Sequence, residues 1–357
     1  TMAKINVRSP YFVNLTATNL TSAQIELIIY SGAVHTSWQG SPQYTLTSTA
    51  IDEKVNFEVS ELIKDYITAL FDGTLPVSPG VSSIEATTIY VDYRITETIN
   101  NVEQSPSTPV YGERAFYGYG YFQDGVNPQL SGALLQSNTY ILKNREETVT
   151  VAVDNENFDK VEFLINGTVV QIYNPVANAT IQDQILYLTN ATGGTPFQID
   201  QIKVYQSSPL VTISVSVNDY QKCKYTPYKL TFINKYGAYQ ELWMFANSKL
   251  ILNTNEEQYK SNILTNGTYS TNNAQIKILT KNGNQRLTLN SDFYPESNNV
   301  VFEELFLSDK VWIYYGGQTL AVNIESKTFN YKTSLTDGLI NYTIDVSFAF
   351  DTINNIR

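Results

Sequence analysis

The chain has a single cysteine, Cys223, and a single histidine, His35, in 357 residues. One cysteine cannot close an internal disulfide, which excludes the disulfide-stapled class of small secreted domains. One histidine leaves no material for the usual zinc sites or for a Ser-His-Asp relay. Cys223 and His35 are also far apart in sequence. Cys223 therefore reads as a small buried hydrophobe, and His35, beside Thr36, Ser37 and Trp38, as an ordinary surface or edge residue. No phosphate-cradling glycine loop followed by Lys-Ser/Thr is present. Charge is scarce as well, at 16% of residues against roughly 25% in average domains. The charge that exists is acidic, with a formal net of −11. An acidic chain repels phosphate backbones, so nucleic acid is not an expected partner. The densest short basic stretch, Lys222, Lys224 and Lys229, reads as the protected edge of a strand. No run approaches the roughly 20 apolar residues of a membrane helix, so membrane insertion is not expected. The opening Thr1-Met2-Ala3-Lys4-Ile5 lacks an apolar signal core. Synthesis in the cytosol follows, unless an export signal has been removed.

Apolar and aromatic residues are plentiful, at 42% and 13%, with 26 tyrosines. Such a chain can bury sizeable cores, and its length points to two or three domains. Period-two alternation dominates. Ile89, Val91, Tyr93 and Ile95 share one face, as do Val211, Ile213, Val215 and Val217. The longest case is Ile340, Tyr342, Ile344, Val346, Phe348 and Phe350, which alternate with Asn341, Thr343, Asp345, Ser347, Ala349 and Asp351. Alternation of this kind predicts half-buried strands. Asn166-Gly167 and Gly316-Gly317 are hairpin turn pairs between apolar runs, and Tyr236-Gly237 marks a slightly longer hairpin loop. Helical spacing occurs twice. It predicts a helix over about Ser60–Phe71 with Ser60 as N-cap, and another over about Asn298–Ser308 with Glu303 and Glu304 towards the outside. The expected fold is mainly β, a multi-module β-sandwich protein with one or two short helices. Its modules are a β-rich unit with one helix over residues 1–146, a small immunoglobulin-like sandwich over 147–220, and a β-rich unit with one short helix over 221–357.

Carboxylates could in principle serve a glycosidase, which needs only two. Glu303 and Glu304 are adjacent on a helix, however, and read as a solvated face. Asp154-Asn155-Glu156-Asn157-Phe158-Asp159 lacks the Gly at position six and the Glu at position twelve of an EF-hand, so it reads as a strand-connecting loop. No catalytic, cofactor-binding or metal-ligating residue is expected. The most distinctive segment is Phe116-Tyr117-Gly118-Tyr119-Gly120-Tyr121-Phe122. On a strand, Tyr117, Tyr119 and Tyr121 would line one face, and Gly118 and Gly120 would leave the other bare for the close approach of another backbone. Three uses fit such a row: intramolecular packing, a subunit interface, or stacking against a sugar.

Several C-terminal segments resemble a known group. They are Tyr228–Tyr239 (YKLTFINKYGAY), Leu287–Asn290, Glu303–Ser308 (EELFLS), Val311-Trp312-Ile313, Tyr331-Lys332-Thr333 and Leu339–Thr343 (LINYT). Together they resemble the C-terminal module of virion structural proteins, of tail or baseplate type, from tailed bacteriophages that infect Bacteroidota. Lys4–Tyr11 (KINVRSPY) is similar to the start of the same proteins. The resemblance covers about the last third of the chain and transfers no functional residue. It implies a virion component made in the host cytoplasm, with copies of itself and other virion proteins as partners and a host surface glycan as a further candidate. An alternative is a cell-surface carbohydrate-binding protein of a Bacteroidota bacterium, and a third is a polysaccharide-degrading tail enzyme.

Overall fold

The computed structural model describes residues 4–68, 71–75, 89–128, 132–135, 139–175, 185–192, 194–206, 210–218, 224–333 and 338–353. Cys223 and Lys222 fall outside them. Alternation becomes strand in each module, and the fold is mainly β, as its residue pattern dictates.

The first module contains β1 (Lys4–Asn6), β2 (Phe12–Thr16), β3 (Leu20–Tyr30), β4 (Tyr44–Thr49) and β5 (Lys54–Glu58). Helix α1 (Ser60–Lys64), β6 (Ile89–Ile99), β7 (Val102–Glu103) and β8 (Val110–Phe116) complete it. One sheet runs β1-β8-β6-β3-β4, with β7 beside β6, while β2 and β5 form a separate ribbon. Two expectations change here. Helix α1 has five residues rather than twelve: Tyr66 and Ile67 donate to Ile63 and Lys64, a tighter i→i+3 pattern that ends the helix. Val59 stands at its N-cap, and the Ser60 hydroxyl turns back to Glu58. Strand β6 is not wet on one face. Tyr90 and Asp92 are buried as well as Ile89 and Val91, because the polar side is covered by Tyr30 and His35.

The middle module contains β9 (Thr139–Leu142), β10 (Thr150–Asp154), β11 (Lys160–Ile165), β12 (Thr168–Tyr173) and β13 (Ile185–Thr189). It continues with β14 (Ala191–Thr192), β15 (Thr195–Pro196), β16 (Gln201–Tyr205) and β17 (Val211–Val217). A five-stranded sheet, β12-β11-β16-β17-β9, packs on the pair β10-β13. Strand β9 lies within residues 1–146 but runs parallel beside β17, so the sandwich begins before residue 147. The pair β10-β13 is buried on both faces. Val151, Val153, Leu186 and Leu188 point into the sandwich, while Ala152, Ile185 and Tyr187 join the core of the first module.

The last module contains β18 (Tyr228–Ile233), β19 (Tyr239–Met244), β20 (Lys249–Lys260), β21 (Ile276–Asn290) and β22 (Tyr294–Pro295). Helix α2 (Asn299–Leu307), β23 (Val311–Tyr315), β24 (Gln318–Ile324), β25 (Leu339–Ile340) and β26 (Thr343–Phe348) follow. Its sheet runs β19-β18-β23-β24-β26-β21-β20, and α2 lays Val301, Phe302 and Leu305 on one face. The C-terminal alternation is split: Tyr342 breaks from the sheet between β25 and β26, and Phe350 is exposed. The hairpin turns are as expected. Asn166 and Gly167 have φ of 48° and 75°, Gly316 and Gly317 58° and 82°, and both pairs fit the left-handed positions of a type I′ turn.

Candidate functional site

The tyrosine segment does not continue the sheet. Strand β8 ends at Phe116, and Tyr117–Tyr121 run in irregular conformation between the first and last modules. The glycines explain the path. A Cβ on Gly118 would overlap the Asn6 side chain and lie 2.6 Å from the Lys235 carbonyl oxygen, so only glycine lets these backbones approach. The Tyr119 amide donates to that carbonyl at 2.8 Å, and Arg8 donates its amide to Gly118 O at 3.0 Å. Tyr117 and Tyr119 are only 6% and 7% exposed, so within a single chain most of the row is already covered.

Charged groups fill the same seam. The Arg8 guanidinium lies 4.9 Å from the Tyr119 ring centroid, and its Nη2 donates to Leu307 O at 2.7 Å. Tyr117 Oη donates to Asp309 Oδ2 at 2.7 Å. Lys235 Nζ sits 4.3 Å over Tyr121 and 3.4 Å from Asp124. Burial raises the tyrosine pKa values, with Asp309 adding to the effect at Tyr117 and Glu304 at Tyr119. Glu304 itself corrects the expectation of a solvated helix face: it is completely buried. Its Oε2 accepts from the Lys235 amide at 3.4 Å, and its Oε1 has no hydrogen-bond partner. Burial pushes its carboxyl up to about 8.

A second polar seam joins the first two modules. Parallel pairing sets Lys4 beside Arg114, and both side chains are buried. Lys4 pairs with Asp154 and lies 3.4 Å from Glu156, while Arg114 approaches Glu156 at 2.8 Å and Asp154 at 3.9 Å. The acidic loop after β10 is thus neutralised by two cations from another module. His35 is also not a lone edge residue. Its Nδ1 lies 2.7 Å from Asp92 Oδ2, and its ring stacks on Tyr30 at 3.7 Å. Asp92 further accepts from Tyr30 Oη and the Gly112 amide, which makes the group a satisfied structural network. Among the described residues no cluster of three or more His, Cys, Asp or Glu side chains is placed to hold a metal.

Two surfaces remain open. The first is a groove of about 760 Å³ beside the tyrosine segment, with Tyr11, Phe12, Tyr121, Phe122 and Val126 among its lining. Phe12, Phe122 and Val126 are exposed. Strand β2 contributes Phe12 and Asn14 to it and, among the described residues, pairs with β5 alone. No carboxylate is found among the described residues lining the groove. The paired carboxylates that glycoside hydrolysis needs are therefore not placed there. Burial and the neighbouring Glu113 raise the Tyr11 pKa to about 12, so this hydroxyl is neutral.

The second surface is at the exposed β20 edge of the last module. Strands β20 and β21 extend well past the sheet as a two-stranded arm. Among the described residues, β26 pairs with β21 over Arg286–Asn290, Thr352 donates its amide to Gly283 O, and Ile353 donates its amide to Asn282 Oδ1 at 3.0 Å. Beyond Asn255 and Asn282 the two strands pair only with each other among the described residues. Nearly every residue on both faces is exposed, including Tyr259, Leu264, Tyr269, Ile276, Ile278 and Leu279. The sequence signal was length: strands of 12 and 15 residues, against a usual five or six. No protein-family model matches the chain, and no curated protein matches it significantly.

Proposed function

We propose that the chain is a structural subunit of a bacteriophage virion, of tail or baseplate type, which works by packing against copies of itself and other virion proteins and not by catalysis. The projecting arm carries this reading. An isolated two-stranded hairpin is marginally stable in water, and this one holds six large apolar side chains out to solvent on its free part. Exposed apolar surface on that scale is characteristic of partner sites. The rigid body supports the same role, because its polar networks brace module against module. The virion assignment rests on the resemblance of the C-terminal segments, from Tyr228–Tyr239 to Leu339–Thr343.

Purified native particles test it. The chain should co-purify in stoichiometric amounts and resist removal by washing at high salt. Its absence from particles would overturn the virion assignment. A second reading, a surface carbohydrate-binding protein of a Bacteroidota cell, is favoured by the aromatic groove around Phe12 and Phe122. Saturable binding of a soluble glycan, lost in Phe122→Ala and without particle association, would put that reading first.

A further inference from the structure

The arm and the groove lie in different modules, and each exposes apolar side chains. The arm also offers positive charge and, among the described residues, an unpaired edge along β20. Residues 249–282 hold four lysines and two glutamates in a chain of net charge −11, so the rest of the molecule is more acidic than the total. Lys281 is paired with Glu256 at 3.1 Å, while Lys249, Lys260 and Lys277 extend along the same two strands. The groove is walled by Phe12, Phe122 and Val126, and strand β2, which contributes Phe12 and Asn14 to it, has no second strand partner among the described residues. It belongs to the first module, which shares its core with Ile233, Ala238, Tyr239 and Trp312 of the last sheet. The arm leaves from β20, at the edge of that sheet away from β19.

We infer that the arm of one copy docks in the groove of the next, adding a strand to the free edge of β2 and seating apolar side chains against Phe12, Phe122 and Val126. This deepens the assembly reading and rests on it. Backbone pairing supplies affinity, and the side-chain pockets supply register. Residues 249–282 carry a net charge of +2 against −13 for the rest of the chain, which speeds the encounter, while the groove itself, whose one charged lining residue among those described is Arg8, selects by apolar contact. Because donor and acceptor are different surfaces, the contact is head-to-tail, so repeated copies close into a ring or extend as a filament. The smallest ring is a pair in which each copy places its arm in the other's groove.

Two full-length variants test the geometry. In the first, residues 256–281 are replaced by Asn-Gly; Asn255 and Asn282 are directly opposite in register, so a two-residue type I′ turn closes the strands. In the second, the exposed groove residues are changed by Phe122→Asp and Val126→Asp. Analytical ultracentrifugation over a concentration series reads the outcome. Wild type should self-associate with concentration, and each variant alone should stay monomeric, a loss of about tenfold or more in association constant. Mixed, the two variants should form a one-to-one heterodimer and stop, since one supplies the only arm and the other the only intact groove. Assembly of the armless variant like wild type would overturn the arm's role. Unchanged self-association of the groove variant would show an arm-to-arm contact and overturn the groove. Either result, with the chain still present in particles, leaves the virion reading standing. Wild type that stays monomeric at every concentration overturns the docking itself.

Discussion

At the scale of single residues, tertiary surroundings reverse the ordinary behaviour of several side chains. Glu304 is the clearest case. Its carboxyl is raised from the ordinary 4.5 to about 8, chiefly by burial. The folded state therefore holds this proton more tightly than the unfolded chain. The resulting stability is complete below about pH 4.5 and is lost as pH rises through about 8. Glu304→Gln copies the neutral form and keeps an acceptor for the Lys235 amide. Its melting temperature should match wild type near pH 5 and exceed it by roughly 2–4 °C near pH 9 in thermal denaturation. Gly118 is constrained by space. Gly118→Ala forces a methyl group against Asn6 and the Lys235 carbonyl, and should cost about 1–3 kcal/mol in urea unfolding. Gly167→Ala, at φ 75° with nothing within 4 Å, strains only a turn and should cost about 1 kcal/mol.

At the scale of elements, periodicity in the sequence says how a segment pairs only where one face is dry. Val211–Val217 and Ile340–Phe350 meet that condition and form strands, apart from the break at Tyr342 and the end at Phe348. Strand β6 and the pair β10-β13 do not: Tyr30 and His35 of its own module cover the second face of β6, and the first module covers that of β10-β13. The arm fails in the opposite sense: both faces are wet, so few apolar residues mark its register. Removing the free part of the arm should barely change the stability of the body, since almost none of its side chains is buried. The armless variant should keep its melting temperature to within about 2 °C, consistent with surface changes worth about 0.5 kcal/mol. A larger fall would mean that the arm braces its own sheet.

At the scale of the whole molecule, the modules are joined through shared interiors. One continuous core holds first-module residues such as Ile25 and Phe116, Tyr187 of the middle sandwich, and Tyr239 and Trp312 of the last sheet. Buried cations Lys4 and Arg114 cross to Asp154 and Glu156. Chemical denaturation followed by far-ultraviolet circular dichroism and by tryptophan fluorescence should therefore give coincident curves. Separate transitions would mean that the modules unfold as independent units. Arg114→Ala leaves both carboxylates with one cation between them and should lose about 3–5 kcal/mol, the usual penalty for breaking a buried ion pair.

By itself, the sequence determined the β class, both I′ hairpins and the position of α2. Each follows from interactions within a few residues or from a face that repeats every two or 3.6 positions. It also carried the close approach at Gly118, because bare glycine between tyrosines has few other uses. Only the tertiary structure decided that Tyr117 and Tyr119 are covered, that Glu304 is buried, that His35 has Asp92, and that the acidic loop after β10 is neutralised by Lys4 and Arg114. Those pairs lie 40 to 152 positions apart in the chain, and no local pattern encodes which distant backbone arrives beside a side chain. The open groove and the bare arm were decided there too, since a surface is left unpaired only once every other strand has found its neighbour.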